Sequence, residues 1–208
     1  MKKVAVLALL LGSSLAVSSS VEAGDVTAGA QKAAQCAACH GKDGNSINAQ
    51  WPKLAGQNEK YLLKQIEDFR LGAKEAGKGR AGAQMAGLWG NVSEEDAADI
   101  AAFFSAQQTQ LGAVNKDMLE LGKTIYFQGD AERGVPACTA CHGANGKGLD
   151  AAGFPSVSGQ FPEYAIKQLK AFASAERNND DNGVMRDIAV RMSDKQIEAV
   201  ANFMLGLH

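Results

Sequence analysis

The run Cys36-Ala37-Ala38-Cys39-His40 recurs as Cys138-Thr139-Ala140-Cys141-His142, 102 residues further on (40 to 142). No other feature of the chain restricts its structure as much. Two thiols two residues apart can add to the two vinyl groups along one edge of a haem. The next residue then lies under the ring and offers an imidazole nitrogen to the iron. The two runs hold all four cysteines and two of the three histidines. They predict two covalently attached haem c groups, bound through Cys36, Cys39, Cys138 and Cys141, with His40 and His142 as proximal iron ligands. Two other readings compete. Paired Cys-x-x-Cys runs could build a four-thiolate zinc site, but this leaves the histidine after each pair unexplained. A thioredoxin-like redox pair is the other, and no βαβ pattern surrounds either run.

Residues 1–23 read as a cleaved signal peptide. Lys2 and Lys3 form a basic start, Val4 to Leu11 an apolar core, and Val21-Glu22-Ala23 places small residues where a cut requires them. The apolar run is too short for a membrane anchor. Export suits the motifs, because c-type haem is attached outside the cytoplasm, and a bacterial periplasm is the expected compartment. Without Lys2, Lys3 and Glu22, the totals of 21 basic and 23 acidic side chains become 19 and 22, a formal charge of −3. No basic tract or aromatic-basic interleaving suggests nucleic acid. The chain is rich in Ala and Gly and poor in β-branched runs, so an all-α fold is expected. Small domains have thin cores and need staples, and a covalent haem would be both filler and staple.

The similarity between the halves extends past the two motifs. Pro52-Lys53-Leu54-Ala55-Gly56-Gln57 matches Pro155-Ser156-Val157-Ser158-Gly159-Gln160, and Tyr61, Lys64, Gln65 and Phe69 match Tyr164, Lys167, Gln168 and Phe172. Met85 and Ser93 match Met185 and Ser193. This predicts a tandem duplication, residues 24–110 and 111–208, with a polar linker over 107–116. Helices are expected over 25–35, leading into the first Cys-x-x-Cys-His run, and over 115–127 as its counterpart before the second. Asn58 is expected to cap a helix reaching Leu71, and Pro162 to open its counterpart. Ser93 and Ser193 open the last helix of each half, with acids in the first turn.

A haem iron with one histidine has a sixth position, and a thioether there raises the potential and suits an electron carrier. The chain has six methionines. Met1 is in the signal peptide, Met118 lies on an apolar helix face, and Met204 and Met192 match Phe104 and Val92, which reads as packing. Met85 and Met185 match each other in a loop-like, Gly-rich context, and they are expected as the axial ligands. Met192 is the competitor in the second half. His208 has no counterpart in the first.

Each half resembles a small class I cytochrome c domain: N-terminal helix, Cys-x-x-Cys-His, Pro-containing loop, helix, axial Met, C-terminal helix. Two such halves behind a signal peptide, with Pro-x-Leu-Ala-Gly-Gln and Tyr in the first, resemble the dihaem cytochrome c4 family. The resemblance implies two His/Met haems, a periplasmic location and electron delivery towards terminal oxidases, with the domains related by a pseudo-twofold axis. It also implies that the Pro52 and Pro155 carbonyls accept the proximal imidazole N–H, although a plain turn proline fits as well. Val157-Ser158 departs from the loop pattern of the first half. Gln57, Tyr61, Gln160 and Tyr164 are candidates for bonds to propionates or across the inter-domain face, or for helix packing.

The expected function is that of an electron carrier and not an enzyme. Its partners would be redox proteins such as membrane oxidase or reductase complexes, with room for peripheral membrane association and no small-molecule substrate. The alternative is a dihaem subunit of a flavoprotein dehydrogenase such as a sulfide-oxidising complex. A dihaem peroxidase needs an open or switchable iron, and the chain has no spare internal histidine for it.

Overall fold

The structure, a computed structural model, describes residues 24–208; the expected signal peptide lies outside the described residues. In the first half, α1 (Val26–Lys32) passes through a 3-10 turn, Ala33–Gln35, into α2 (Ala37–His40), followed by α3 (Glu59–Lys74), α4 (Ala83–Ala86) and α5 (Glu94–Ser105). The second half repeats the order with α6 (Lys116–Gln128), α7 (Thr139–His142), α8 (Pro162–Ala173), α9 (Val184–Ala189) and α10 (Asp194–Leu205). Extended pairing among the described residues is confined to two isolated bridges, Asp130 with Val135 and Leu149 with Phe154. The fold is all-α, as expected.

Each half is built on a crossing of its first and last helices, α1 on α5 and α6 on α10. A glycine makes each crossing possible. A Cβ on Gly29 would lie 2.0 Å from the Asp99 carbonyl oxygen, and one on Gly122 would lie 2.2 Å from that of Ala199. Both contacts are to backbone, which cannot swing aside. The apolar stripes then close the cores. In the first half Leu62, Ile100, Ala101 and Phe104 form one cluster, and Ile66, Phe69, Trp89 and Ala97 a second. In the second half one cluster joins Ile125, Tyr126, Ile197, Val200, Met192 and Met204. Met192 and Met204 are thus core side chains, as their matches Val92 and Phe104 suggested.

The helix starts follow from their capping residues. Asp25 accepts from the N–H groups of Thr27 and Ala28 at 2.7 and 3.1 Å. Ser93 and Ser193 each form a reciprocal capping box, with Asp96 and Gln196. Asn58 departs from expectation. It sits at the N-cap of α3, yet its side chain makes no cap bond and donates instead to the carbonyls of Lys147 and Phe154 in the other half. Asp150 of the second half accepts from the Lys60 N–H at 3.0 Å and supplies the cap from outside. The helix start lies against the second half, so its open N–H groups find a carboxylate there, which also suits the helix dipole.

Candidate haem sites and the interface between them

In each half a four-residue helix carries the second cysteine and the histidine, and the first cysteine stands at its N-cap, so the three lie within about one turn. Cys36 packs against the Leu62–Phe104 cluster, and Cys138 against the core of the second half. Burial pushes the Cys36 thiol above its ordinary range and Cys138 up to about 11. Such thiols are the opposite of the acidic, activated thiol of a redox pair. All four cysteines are free of disulfides. Among the described residues no three His, Cys, Asp or Glu side chains converge as metal ligands, so the two pairs do not assemble a shared thiolate site.

The histidines are oriented by the proline loops. His40 Nδ1 is 2.8 Å from the Pro52 carbonyl oxygen, and His142 Nδ1 is 2.9 Å from that of Pro155. A carbonyl only accepts, so the proton is on Nδ1 and the Nε2 lone pair is free for a metal. Burial lowers the pKa of both rings, with the prolyl carbonyls acting in the opposite sense. Both imidazoles are therefore neutral at neutral pH, the form that ligates iron.

Met85 and Met185 lie in short helices, where loops were expected: Met85 in α4 and Met185 in α9. Met85 packs against the Ile66–Trp89 cluster, which shares Leu63 and Val92 with the cluster that holds Cys36. Ile188 and Met192, close to Met185 in sequence, pack on the core that holds Cys138. Each half therefore brings its methionine segment and its Cys-His turn onto connected core.

The two halves meet through matched bonds. The Gln57 amide donates to the Ser156 carbonyl and accepts from the Ser156 N–H, both at 2.8 Å. The Gln160 amide does the same with Lys53, both at 3.0 Å. Lys53 matches Ser156 and Gln57 matches Gln160 in the repeat, so this exchange defines a pseudo-twofold relation. A second pair of groups obeys it. Arg80 donates to Gln65 of its own half and to Tyr164 and Gln168 of the other, at 2.8–2.9 Å. Arg177 donates to Gln168 of its own half and to Tyr61 and Gln65 of the other, at 2.8–3.0 Å. Burial alone would push the Tyr61 hydroxyl up, but Arg177 and Arg80 outweigh it and hold it below the ordinary value. Beside this network a cleft of about 400 Å³ runs between the halves, lined by Asn48, Gln84, Glu163 and Tyr164 among others.

The arginines were not found from the sequence. They are 97 residues apart (80 to 177), whereas the methionines are 100 apart (85 to 185), so the repeat register that pairs the methionines does not pair them. The signal was present in one form only: an arginine shortly before the methionine of each half.

These residues fit haem. The free thiols, the neutral imidazoles with Nε2 unspent, and two guanidiniums with no carboxylate bonded to them among the described residues form a suitable donor set. A buried cation needs an anionic partner, and the carboxylate tails of a haem would supply one.

Residues 26–107 and 119–208 each match the family model of cytochrome c, so the chain holds two cytochrome c domains in tandem. It is 47% identical over 190 residues to cytochrome c4 of Azotobacter vinelandii, covering 89% of this chain and 90% of that one. It superposes on the crystal structure of reduced recombinant cytochrome c4 from Pseudomonas stutzeri with a TM-score of 0.87 at 44% identity, covering 89% of this chain and 100% of that one. It is also 35% identical over 184 residues to a thiosulfate dehydrogenase electron acceptor of Stutzerimonas stutzeri, covering 86% of this chain and 82% of that one. The chain belongs to the cytochrome c4 family and is a dihaem electron-transfer cytochrome with two covalently attached haem c groups.

Proposed function

We propose that Cys36 and Cys39 attach the first haem and Cys138 and Cys141 the second, with His40 and Met85 as axial ligands in residues 24–110 and His142 and Met185 in residues 111–208. The observation that carries this reading is the matched pair of imidazoles, each with its Nδ1–H given to a prolyl carbonyl and its Nε2 free. Bound haem supplies reversible one-electron chemistry at iron. The chain's own residues hold it: the thioethers fix the ring, the prolyl carbonyls orient the imidazoles, and Arg80 and Arg177 receive haem carboxylates at the shared face. The Gln57 and Gln160 clamps keep the two sites at a fixed separation, so electrons pass between halves without a docking step.

The protein acts in the periplasm after removal of residues 1–23. It is a carrier and not an enzyme, taking electrons from respiratory donors and delivering them towards a terminal oxidase, with membrane complexes as partners. A second reading draws on the relative named as a thiosulfate dehydrogenase electron acceptor: a sulfur-compound dehydrogenase as donor. A flavoprotein sulfide-oxidising complex has no such support. Redox titration of holoprotein tests the ligand assignment. Met85→Ala and Met185→Ala each lower one of the two potentials and leave the other near its original value, because a thioether raises the potential. Loss of the thioether signal of the second haem in Met192→Ala, with Met185→Ala unchanged, would reassign that ligand.

A further inference from the structure

The two halves secure their methionine segments in different ways. Around Met185, Asp180 accepts from the Arg186 backbone N–H at 3.0 Å and from its Nε at 2.7 Å. Arg191 bonds both carboxylate oxygens of Asp187 and the Gly134 carbonyl, and Arg133 bonds the Arg191 carbonyl at 2.7 Å. The segment is tied to itself and to the 130–135 turn, and Ala189 is fully buried beneath it.

Around Met85 these ties are missing among the described residues. Side-chain hydrogen bonding stops at Arg80 and resumes at Val92, whose carbonyl accepts from Arg70. Helix α4 has four residues and no side-chain cap. A Cβ added at Gly87 or Gly90 would meet nothing within 4 Å, so the outer side of the segment faces open space. Apolar contact of Met85 and Trp89 with Ile66, Phe69 and Ala97 holds it shut.

We propose that the sixth coordination position of the N-terminal haem is exchangeable and that of the C-terminal haem is not. Residues 81–91 swing outward, Met85 withdraws, and a small ligand of iron takes its place: imidazole on the ferric protein, carbon monoxide on the ferrous. One iron–sulfur bond is exchanged for one iron–ligand bond, with no electron gained or lost. The inference rests on the assignment of Met85 and Met185 as axial ligands.

Intact oxidised holoprotein is titrated with imidazole while the thioether-to-iron absorption band is followed, and ferrous protein is titrated with carbon monoxide. The expected result is loss of half the band and one carbon monoxide bound per two haems. In Met85→Ala the remaining half of the band does not respond to imidazole over the same range. Gly87 has φ −78°, a conformation alanine adopts freely. Gly87→Ala therefore removes disorder from the open segment and weakens imidazole binding by about two- to fivefold. Equal response from both haems, response from neither, response from the Met185 half, or unchanged affinity in Gly87→Ala overturns the proposal. A band left at full height by Met85→Ala overturns the ligand assignment itself, and the proposal with it.

Discussion

The Gln57 clamp allows the cost of separating the halves to be worked out. Gln57 is 8% exposed, as is Ser156. Replacing Gln57 with alanine removes two bonds across the interface, to the Ser156 carbonyl and N–H, and one within its own half, from the Asn58 N–H at 2.9 Å. The Asn58 bond is lost docked and undocked alike; each of the two interface bonds is worth about 1 kcal/mol net, and the buried Ser156 groups left unpaired add desolvation penalties, so the cost to docking is about 2–4 kcal/mol. Little of this falls on the core of either half, because Gln57 precedes α3 and packs in no core cluster. Docking should therefore weaken while each half keeps its fold. The fraction of undocked molecules rises by roughly 30- to 700-fold, using 1.4 kcal/mol per factor of ten. Denaturant unfolding followed by haem absorbance, together with limited proteolysis in residues 107–116, measures this. Gln57→Ala should split or broaden the unfolding transition and speed cleavage between the halves. A single transition with unchanged midpoint and unchanged cleavage would refute the claim that this clamp holds the halves together.

Gly122→Ala should destabilise the second half by roughly 1–3 kcal/mol, because its Cβ would meet the Ala199 carbonyl and force α6 and α10 apart; the unfolding midpoint of that half reads it. The hydrogen bond from Lys32, and then the Asp25 N–H, hold the Asp99 carboxylate below the usual range. A depressed carboxylate contributes stability above its unfolded value of about 3.9 that is lost as pH falls through the lower folded value. Asp99→Asn should flatten that acid limb for the first half, in unfolding midpoints measured from neutral pH downward.

The interface was only half legible in the sequence. Gln57, Tyr61, Gln160 and Tyr164 stood out because they recur, but recurrence does not distinguish a bond across the domain face from helix packing. That choice depends on which backbone group lies opposite each amide. Asn58 shows the limit most clearly. By local rules it is a good helix cap, and α3 does begin just after it, yet its side chain serves the other half and Asp150 caps the helix in its place. Local propensity located the helix start; acceptors brought from 89 and 96 residues away decided what the side chain does there.

The chain's own order determined the two Cys-x-x-Cys-His motifs, the duplication, the helices and the matching of Met85 with Met185 in the repeat, because each is a matter of residue type at short spacing or of repetition. Covalent thioethers need two thiols within one turn, and a helix needs its apolar period and its cap, all of which lie within a few residues. Only the tertiary structure decided where the buried charge lies. Arg80 and Arg177 come from loops of unequal length and meet because the halves dock about a pseudo-twofold axis. It also decided that the two methionine segments differ: one is tied down by Asp180, Arg186 and Arg191, the other is held by apolar contact of Met85 and Trp89 with Ile66, Phe69 and Ala97. Hydrogen-bond partners and solvent exclusion are properties of the folded packing, and they do not follow from residue order alone.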